Sequence, residues 1–411
     1  MSDLLYILTE YQNGVLSFTL DTKTNKMESV NFTQHSKNSD DAKIGDIFVA
    51  KVVNVAKQIN AAFIDYAPKK KGYLPIVSGY VPVLTNRKYD GRILAGDEIL
   101  VQLEKEAVRT KEPVFTMNLS LAGKYSVISY ANTYKGVSKK CTNAERELLR
   151  AVIPNEIAYG VVIRTNAVEF LGHSDLPDTE IQTVLQPVRD EIMDLNDRMS
   201  ALLQEGIHRT CYSRIWQSPP VYLTNMRDER DTYQQIITDS EGIYDELKTF
   251  ASLYMPEQLS NISLYQDNSY PLQKLYRVET QLAELLSTKV WLKSGAYLVI
   301  EKTEAMYVID VNSGKNITKK DNAAYIYQIN MEAAGEIMRQ LRLRNLSGMI
   351  LVDFINMEDK ENEAALLQEL RALAKKDRIL TTIVDITALG LVEITRKKTT
   401  KSLCELLKKE D

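Results

Sequence analysis

The last third of the chain alternates short apolar runs with long amphipathic ones, and few folds accommodate that order. Residues 296–310 hold two β-prone pieces, AYLVIE and MYVIDV, around Thr303 and Glu304. Over 322–343, Ile326, Ile329, Ala333, Ile337 and Leu341 recur at spacings of three or four, the period of a helix with one buried stripe. MILVDFI (349–355) is short and apolar, as a strand buried on both faces would be. A second helix is predicted over 361–376 and a further strand over 379–386, ILTTIVDI. Strands alternating with helices of this length predict an α/β layer.

Upstream the pattern differs. Residues 44–125 form short β-prone runs (Ile47, Val49, Val52 and Val53; Ala62, Phe63 and Ile64; Tyr73 and Leu74; Ile99, Val101 and Leu103), punctuated by Gly45, Pro68, Gly72, Gly91 and Gly96. Many short strands with glycine and aspartate turns predict a small barrel. A strand is expected over 159–165, a helix over 177–205, and a mainly helical segment over 227–253. There are no long repeats.

With 411 residues the chain has room for two to four domains. No apolar run approaches the ~20 residues of a membrane helix, and residues 1–11 lack the features of a signal peptide, so a cytoplasmic protein is expected. Cys141, Cys211 and Cys404 are far apart with no CxxC pair, which argues against a zinc ribbon or a disulfide framework. The absence of a Walker A loop, GxGxxG and HExxH lowers the odds of nucleotide hydrolases, dinucleotide enzymes and zinc proteases. The net charge of −4 does not announce a nucleic-acid binder, yet binding depends on local clustering. Clusters occur at Lys69, Lys70 and Lys71, at Arg339, Arg342 and Arg344, and at Arg396, Lys397, Lys398 and Lys401. Taken alone, each run reads as a solvated face.

Two carboxylates stand out. Asp310 lies inside MYVIDV and Asp353 inside MILVDFI, and a lone carboxylate is costly to bury unless paired or coordinating. One helix separates the two strands, so a right-handed crossover can bring them into one sheet. A hard divalent cation would explain the pair, because Mg²⁺ is often held by one or two carboxylates and keeps several waters. Asn312, two residues past Asp310, would share its side and could add an oxygen or orient a water. Pairing with Arg or Lys, or capping by backbone, explains the same residues equally well. Asp385, in TTIVDI, has the same look; Asp65, in FIDY, reads as structural.

The blocks VWLKSGAYLVIEKTEAMYVIDVNSG (290–314), EAAGEIMRQLRLRNLSGMILVDFINM (332–357) and LGLVEITRKK (389–398) closely resemble the ribonuclease E/G family of endoribonucleases. IGDIFVAKVVNVAKQINAAFIDYAPKKKGYLP (44–75) looks like that family's S1 domain, and VQLEKEAVRTK (101–111) and NLSLAGKY (118–125) also fit. The likeness runs from about residue 40 to 402. It implies a multidomain α/β protein. A ribonuclease H-like subdomain would be split between 1–40 and 211–280, with an S1 (OB-type) barrel over 41–118 and a 5′-sensor region over 119–210. A DNase I-like catalytic subdomain would follow over 281–411.

The activity implied is Mg²⁺-dependent internal cleavage of single-stranded RNA, with Mn²⁺ as a substitute, often in A/U-rich segments and stimulated by a 5′-monophosphate. The family's metal ligands fall on Asp310 and Asp353 and its accompanying amide on Asn312; no metal role falls on Asp385. RNA-binding positions fall on Phe63, Tyr73 and Lys111, although Phe63, between Ala62 and Ile64, would by default be core. The 5′-phosphate pocket falls on Gly123, Val127, Arg164 and Thr165, with Arg378 a looser match. Lys302, Arg396 and Lys397 are further candidates for phosphate contact, and no residue stands out as general base.

The sequence also departs from the family. Glu112 follows Lys111 where Gly is usual. In TTKSLCELLKKED only Cys404 stands near where relatives carry a CPxC zinc link between chains, so no structural zinc is expected. A homodimer remains open and the family's tetramer is doubtful. The rival readings are an RNA-binding protein of the same fold with little or no cleavage and, more weakly, a phosphodiesterase acting on DNA.

Overall fold

The computed structural model describes the chain except residues 1–2, 36–41, 108–110, 173–182, 230–231, 268, 315–321 and 408–411. It separates into two compact units. One comprises Met1–His35, Thr232–Lys248 and Ser260–Asp411; the other comprises Ser36–Asp231 and Thr249–Leu259.

The first unit contains two sheets. In the five-stranded one, Leu4–Tyr11, Gly14–Asp21 and Lys26–Gln34 form an antiparallel meander. Gln235–Thr238 then pairs parallel to the first strand, and Ile262–Leu264 parallel to that. The strand Gln235–Thr238 corrects the expectation of a mainly helical 227–253. Its β-branched run, Ile236, Ile237 and Thr238, is buried between neighbours, and sheet packing overrides the surrounding helical composition.

The six-stranded sheet runs in the order Lys289–Trp291, Tyr297–Lys302, Met306–Asn312, Gly348–Asp353, Val392–Arg396, Thr381–Ile386. The helices Asn322–Leu343 and Lys360–Lys376 share one core with it through Ile329, Ala333, Ile337, Leu341, Leu366 and Leu370. Met306–Asn312 and Gly348–Asp353 pair parallel, as the intervening helix predicted. They are not buried on both faces, however. Residues alternate: Ile309, Val311, Ile350 and Val352 point to the core, whereas Val308, Asp310, Met349 and Asp353 are exposed.

In the second unit, Ile47–Ala56, Ala61–Ala67, Lys70–Pro75, Val114–Thr116 and Glu98–Lys105 close into a five-stranded barrel, because the first strand pairs with both the second and the last. Phe48, Ile64, Leu74, Ile99, Val101 and Phe115 fill it. A four-stranded sheet, in the order Lys135–Val137, Gly160–Ile163, Ser126–Ser129, Ser120–Ala122, packs on the helix Gln186–Gly206 through Ile128, Val161, Ile192 and Leu195. That helix occupies the later part of the stretch expected over 177–205; residues 177–182 lie outside those described. Among the described residues no helix is long and apolar enough to cross a membrane.

Candidate active site

Asp310 and Asp353 are direct Cα partners across the parallel ladder, each near the C-terminal end of its strand. That is where open α/β sheets place ligands. Asn312 lies on the same face, and its Nδ2 donates to Asp310 Oδ2 at 2.7 Å. The strand stops there because Ser313-Gly314 turns away. Gly314 has φ +71°, and a Cβ on it would sit 2.6 Å from the Gly295 carbonyl oxygen, so only glycine fits.

Both aspartates are exposed, so the cost of burying a charge, which first singled them out, does not apply. What singles them out in the structure is repulsion. Two like charges directly opposite on neighbouring strands destabilise a sheet. Among the described residues neither is ion-paired with Lys, Arg or His. The chemistry of the set, two hard anionic oxygens side by side with a neutral amide, fits a Mg²⁺-type cation that retains most of its waters. It does not amount to a full protein cage: among the described residues no group of three or more His, Cys, Asp or Glu side chains is poised for a metal. In the observed orientation the Asn312 amide donates to the Asp310 carboxylate and so restrains its rotation.

Asp385 is separated from this pair. It sits on the edge strand Thr381–Ile386, beyond Val392–Arg396, at a register irregularity, and its Oδ1 accepts the Ile386 amide at 2.9 Å.

Two of the proposed phosphate contacts are corrected. Arg396 is buried; its Nε donates to Asp377 Oδ2 at 2.8 Å and its Nη1 to Asn345 Oδ1 and the Leu346 carbonyl. It pairs with Gly348, so it lies at the far end of the Asp353 strand. Lys302 is ion-paired with Glu405 at 2.6 Å. Lys397 is exposed and its backbone amide bonds the Leu380 carbonyl. The arginine run is no solvated face either. Arg339 contacts Glu28 and Glu336, and Arg344 is buried against Gln340.

On the barrel, Phe63 and Tyr73 are direct cross-strand partners, their ring centroids 5.9 Å apart in an edge-on arrangement. Phe63 is exposed and Tyr73 half-buried, so the core reading of Phe63 fails: Ala62 and Ile64 take the inward positions and Phe63 alternates outward. Lys111 is exposed, two residues before Pro113, whose carbonyl accepts the Tyr73 amide.

Gly123, Val127, Arg164 and Thr165 gather in the four-stranded sheet region. Val127 pairs with Val162 and Ala122, and Arg164 Nη1 donates to the Gly123 carbonyl and to Asp228 Oδ1, both at 2.7 Å. Thr165 begins a short 3₁₀ helix, Thr165–Leu171. Asp228 also accepts from Arg227 Nε, so two guanidiniums share one carboxylate. Burial pushes the Asp228 carboxyl up, but the hydrogen bonds and charges of Arg164 and Arg227 outweigh it and hold it below the usual carboxylate range. The loop beside Gly123 is shaped by Glu191, whose carboxylate accepts the amides of Lys124, Tyr125 and Ser126. A Cβ on Gly123 would meet that carboxylate at 2.3 Å. Sequence reasoning missed Asp228 and Glu191: each sits on a helix where a carboxylate reads as solvent-facing, and nothing local reveals the backbone it reaches. Arg378 is exposed and belongs to the other unit.

Comparison with known proteins places the chain. Residues 120–399 match the model of the ribonuclease E/G family. Ribonuclease G of Escherichia coli K12 is 32% identical over 379 residues, covering 89% of this chain and 74% of that protein. Ribonuclease E of Haemophilus influenzae is 30% identical over 377 residues, 88% of this chain and 39% of that protein. Ribonuclease E of Nostoc is 30% identical over 375 residues, 89% and 52%. The chain belongs to the ribonuclease E/G family.

Proposed function

We propose that this chain is a Mg²⁺-dependent endoribonuclease that cuts single-stranded RNA in A/U-rich segments and is stimulated by a 5′-monophosphate. Family membership, with relatives named ribonuclease G and ribonuclease E, supports an RNA-cleaving hydrolase that works in RNA processing. The observation that carries the reading is the in-register couple of Asp310 and Asp353, without a base partner among the described residues, with Asn312 beside it. Bound between Asp310 and Asp353, Mg²⁺ or Mn²⁺ would supply Lewis-acid stabilisation of a phosphodiester's charge and a more acidic water.

The chain's own residues supply position. Asp310 and Asp353 are fixed by adjacent strands, and Asn312 limits the rotation of the Asp310 carboxylate. Phe63 and Tyr73 offer a stacking surface for unpaired bases, and Lys111 adds positive charge near it. Arg164, with one guanidinium edge on Asp228, and Thr165, Gly123 and Val127 would form the wall of a 5′-phosphate pocket. The meander-plus-parallel order of the five-stranded sheet supports a ribonuclease H-like subdomain split between 1–40 and 211–280. The closed barrel supports an S1 domain over 41–118, leaving 119–210 as sensor and 281–411 as a DNase I-like catalytic part. Such an enzyme would work in the cytoplasm.

The test is incubation of the purified protein with a fluorescent A/U-rich oligonucleotide and Mg²⁺. Cleavage that chelation abolishes is expected. Equal rates for wild type and Asp353→Asn would overturn the site. Cleavage of 5′-monophosphate RNA should outpace that of 5′-hydroxyl RNA, and Arg164→Ala should erase the difference. One second reading is an RNA-binding protein of the same fold with little cleavage, since among the described residues no third His, Cys, Asp or Glu joins Asp310 and Asp353. RNA retardation on a gel without Mg²⁺-dependent cleavage would select it.

A further inference from the structure

The open face of the catalytic sheet continues past the carboxylates in a way that cleavage chemistry alone does not explain. Reading across the strands, Lys289 pairs with Val299, Val299 with Asp310, and Asp310 with Asp353. The next row joins Trp291 to Tyr297 and Tyr297 to Asn312. Direct cross-strand partners project from one face, so Lys289, Trp291 and Tyr297 share the face of Asp310, Asn312 and Asp353. Their alternates are buried or pack against the core: Val290, Leu298 and Ile309.

Trp291 and Tyr297 lie 5.2 Å apart between ring centroids, tilted by 58°. Lys289 Nζ stands over both, 4.1 Å from the Trp291 ring and 3.6 Å from the Tyr297 ring. Trp291 nevertheless leaves 64% of its surface exposed. An exposed cation–π contact is weak and does not by itself explain why so large a side chain faces water. A large aromatic surface beside a fixed positive charge is what an RNA base and its phosphate recognise. Tyr297 lies one strand from Asp310, and Lys289 and Trp291 lie two, on the order of 10 Å at roughly 4.8 Å per strand.

We propose that Trp291 and Tyr297, with Lys289 above them, form a stacking platform for a base flanking the phosphodiester cut at Asp310 and Asp353. The platform rests on the RNA-cleavage reading for its neighbour but makes a separate claim, that sequence or spacing preference around the cut is set partly by this platform. Lys289 meets the phosphate of the stacked nucleotide, and Trp291 supplies most of the contact.

Two measurements test it. In Asp353→Asn protein carrying Trp216→Phe, so that Trp291 is the sole indole, single-stranded RNA should quench the fluorescence, and Mg²⁺-dependent turnover is not needed to see it. In cleavage-competent protein, a series of oligonucleotides with one abasic position each should reveal one flanking base whose loss slows wild type. Trp291→Ala should lose roughly 5- to 100-fold, the equivalent of one stacked base, and should no longer sense that position. Trp291→Phe should restore part of both, which a variant that merely misfolds would not do. An unquenched indole, or an abasic profile the same in wild type and Trp291→Ala, overturns the platform even if RNA is cut. Quenching without any cleavage would instead keep the platform and sink the nuclease reading. Loss of a dimer in sedimentation on Trp291→Ala, with no RNA quenching, would assign the face to a second copy of the chain and overturn the proposal.

Discussion

The two ends of the six-stranded sheet treat acidic residues in opposite ways. At one end Asp377 is buried, and Arg396, Thr381 and the Ile379 amide satisfy it. At the other end Asp310 and Asp353 face solvent side by side, like charges in register, and Asn312 donates to Asp310 alone. A buried charge in this sheet is therefore a structural device, already compensated. The charges proposed to be functional are the exposed ones, for which no base partner is seen among the described residues. The apolar setting that drew attention to Asp310 and Asp353 in the sequence suggested burial, yet in the structure it is Asp377 that is buried and compensated while they are exposed.

Mutation should split the two ends cleanly. Asp377→Ala strands a buried guanidinium and should cost about 3–5 kcal/mol of unfolding free energy in chemical denaturation. Asp310→Asn relieves a repulsion and should leave stability within about 0.5 kcal/mol of wild type, or raise it. Similar losses at both ends would erase the distinction drawn here.

A middle-sized effect belongs to the barrel. Phe63→Ala or Tyr73→Ala should weaken single-stranded RNA binding by about 1–3 kcal/mol without slowing cleavage of saturating substrate, as fluorescence anisotropy and turnover would report. Substitutions that change the rate at saturation instead would move these rings into the chemistry.

Acid sharpens the comparison further. Burial raises the Asp377 carboxyl, but Arg396 and Thr381 outweigh it and hold it below the ordinary value. Its contribution is present above the unfolded value and lost as pH falls through the depressed folded one. Wild type should thus lose stability on acidification below about pH 4, and Asp377→Asn should show a shallower acid limb in a pH series of melts. The smallest effect is at Glu405, where burial is outweighed by Lys302 and Ser402 and the carboxyl is drawn down to about 2. Its stabilisation is lost between about 4.5 and about 2. Because Lys302 is half exposed, Lys302→Met should cost no more than about 1 kcal/mol.

Much of this was legible in the chain. The helix at Asn322–Leu343 and the parallel neighbours it joins followed from period and length, since a long amphipathic stripe between two short apolar runs leaves few alternatives. MILVDFI misled on burial, because exposed Met349 and half-buried Leu351 read as core in a string of letters while the sheet turns them to its open face. The strand at Gln235–Thr238 was hidden inside helix-forming surroundings. Asp310, Asn312 and Asp353 were named from residue type and resemblance, and the register unites them. Glu191 and Asp228 could not be read, since Glu191 reaches backbone amides and Asp228 reaches Arg164, all some 60 residues or more away in sequence. Arg396 was misassigned for the converse reason: its carboxylate, Asp377, lies one strand and a turn upstream.

The most direct test of the account is the single-turnover rate of Asp353→Asn on a 5′-monophosphorylated A/U-rich oligonucleotide in Mg²⁺, alongside its melting curve and RNA affinity. Losing a ligand that helps offset several kcal/mol of developing charge should slow cleavage on the order of 10³-fold, with folding and binding intact. A rate within a few-fold of wild type, at equal stability and affinity, would contradict the claim that the unpaired carboxylates are where this protein does its chemistry.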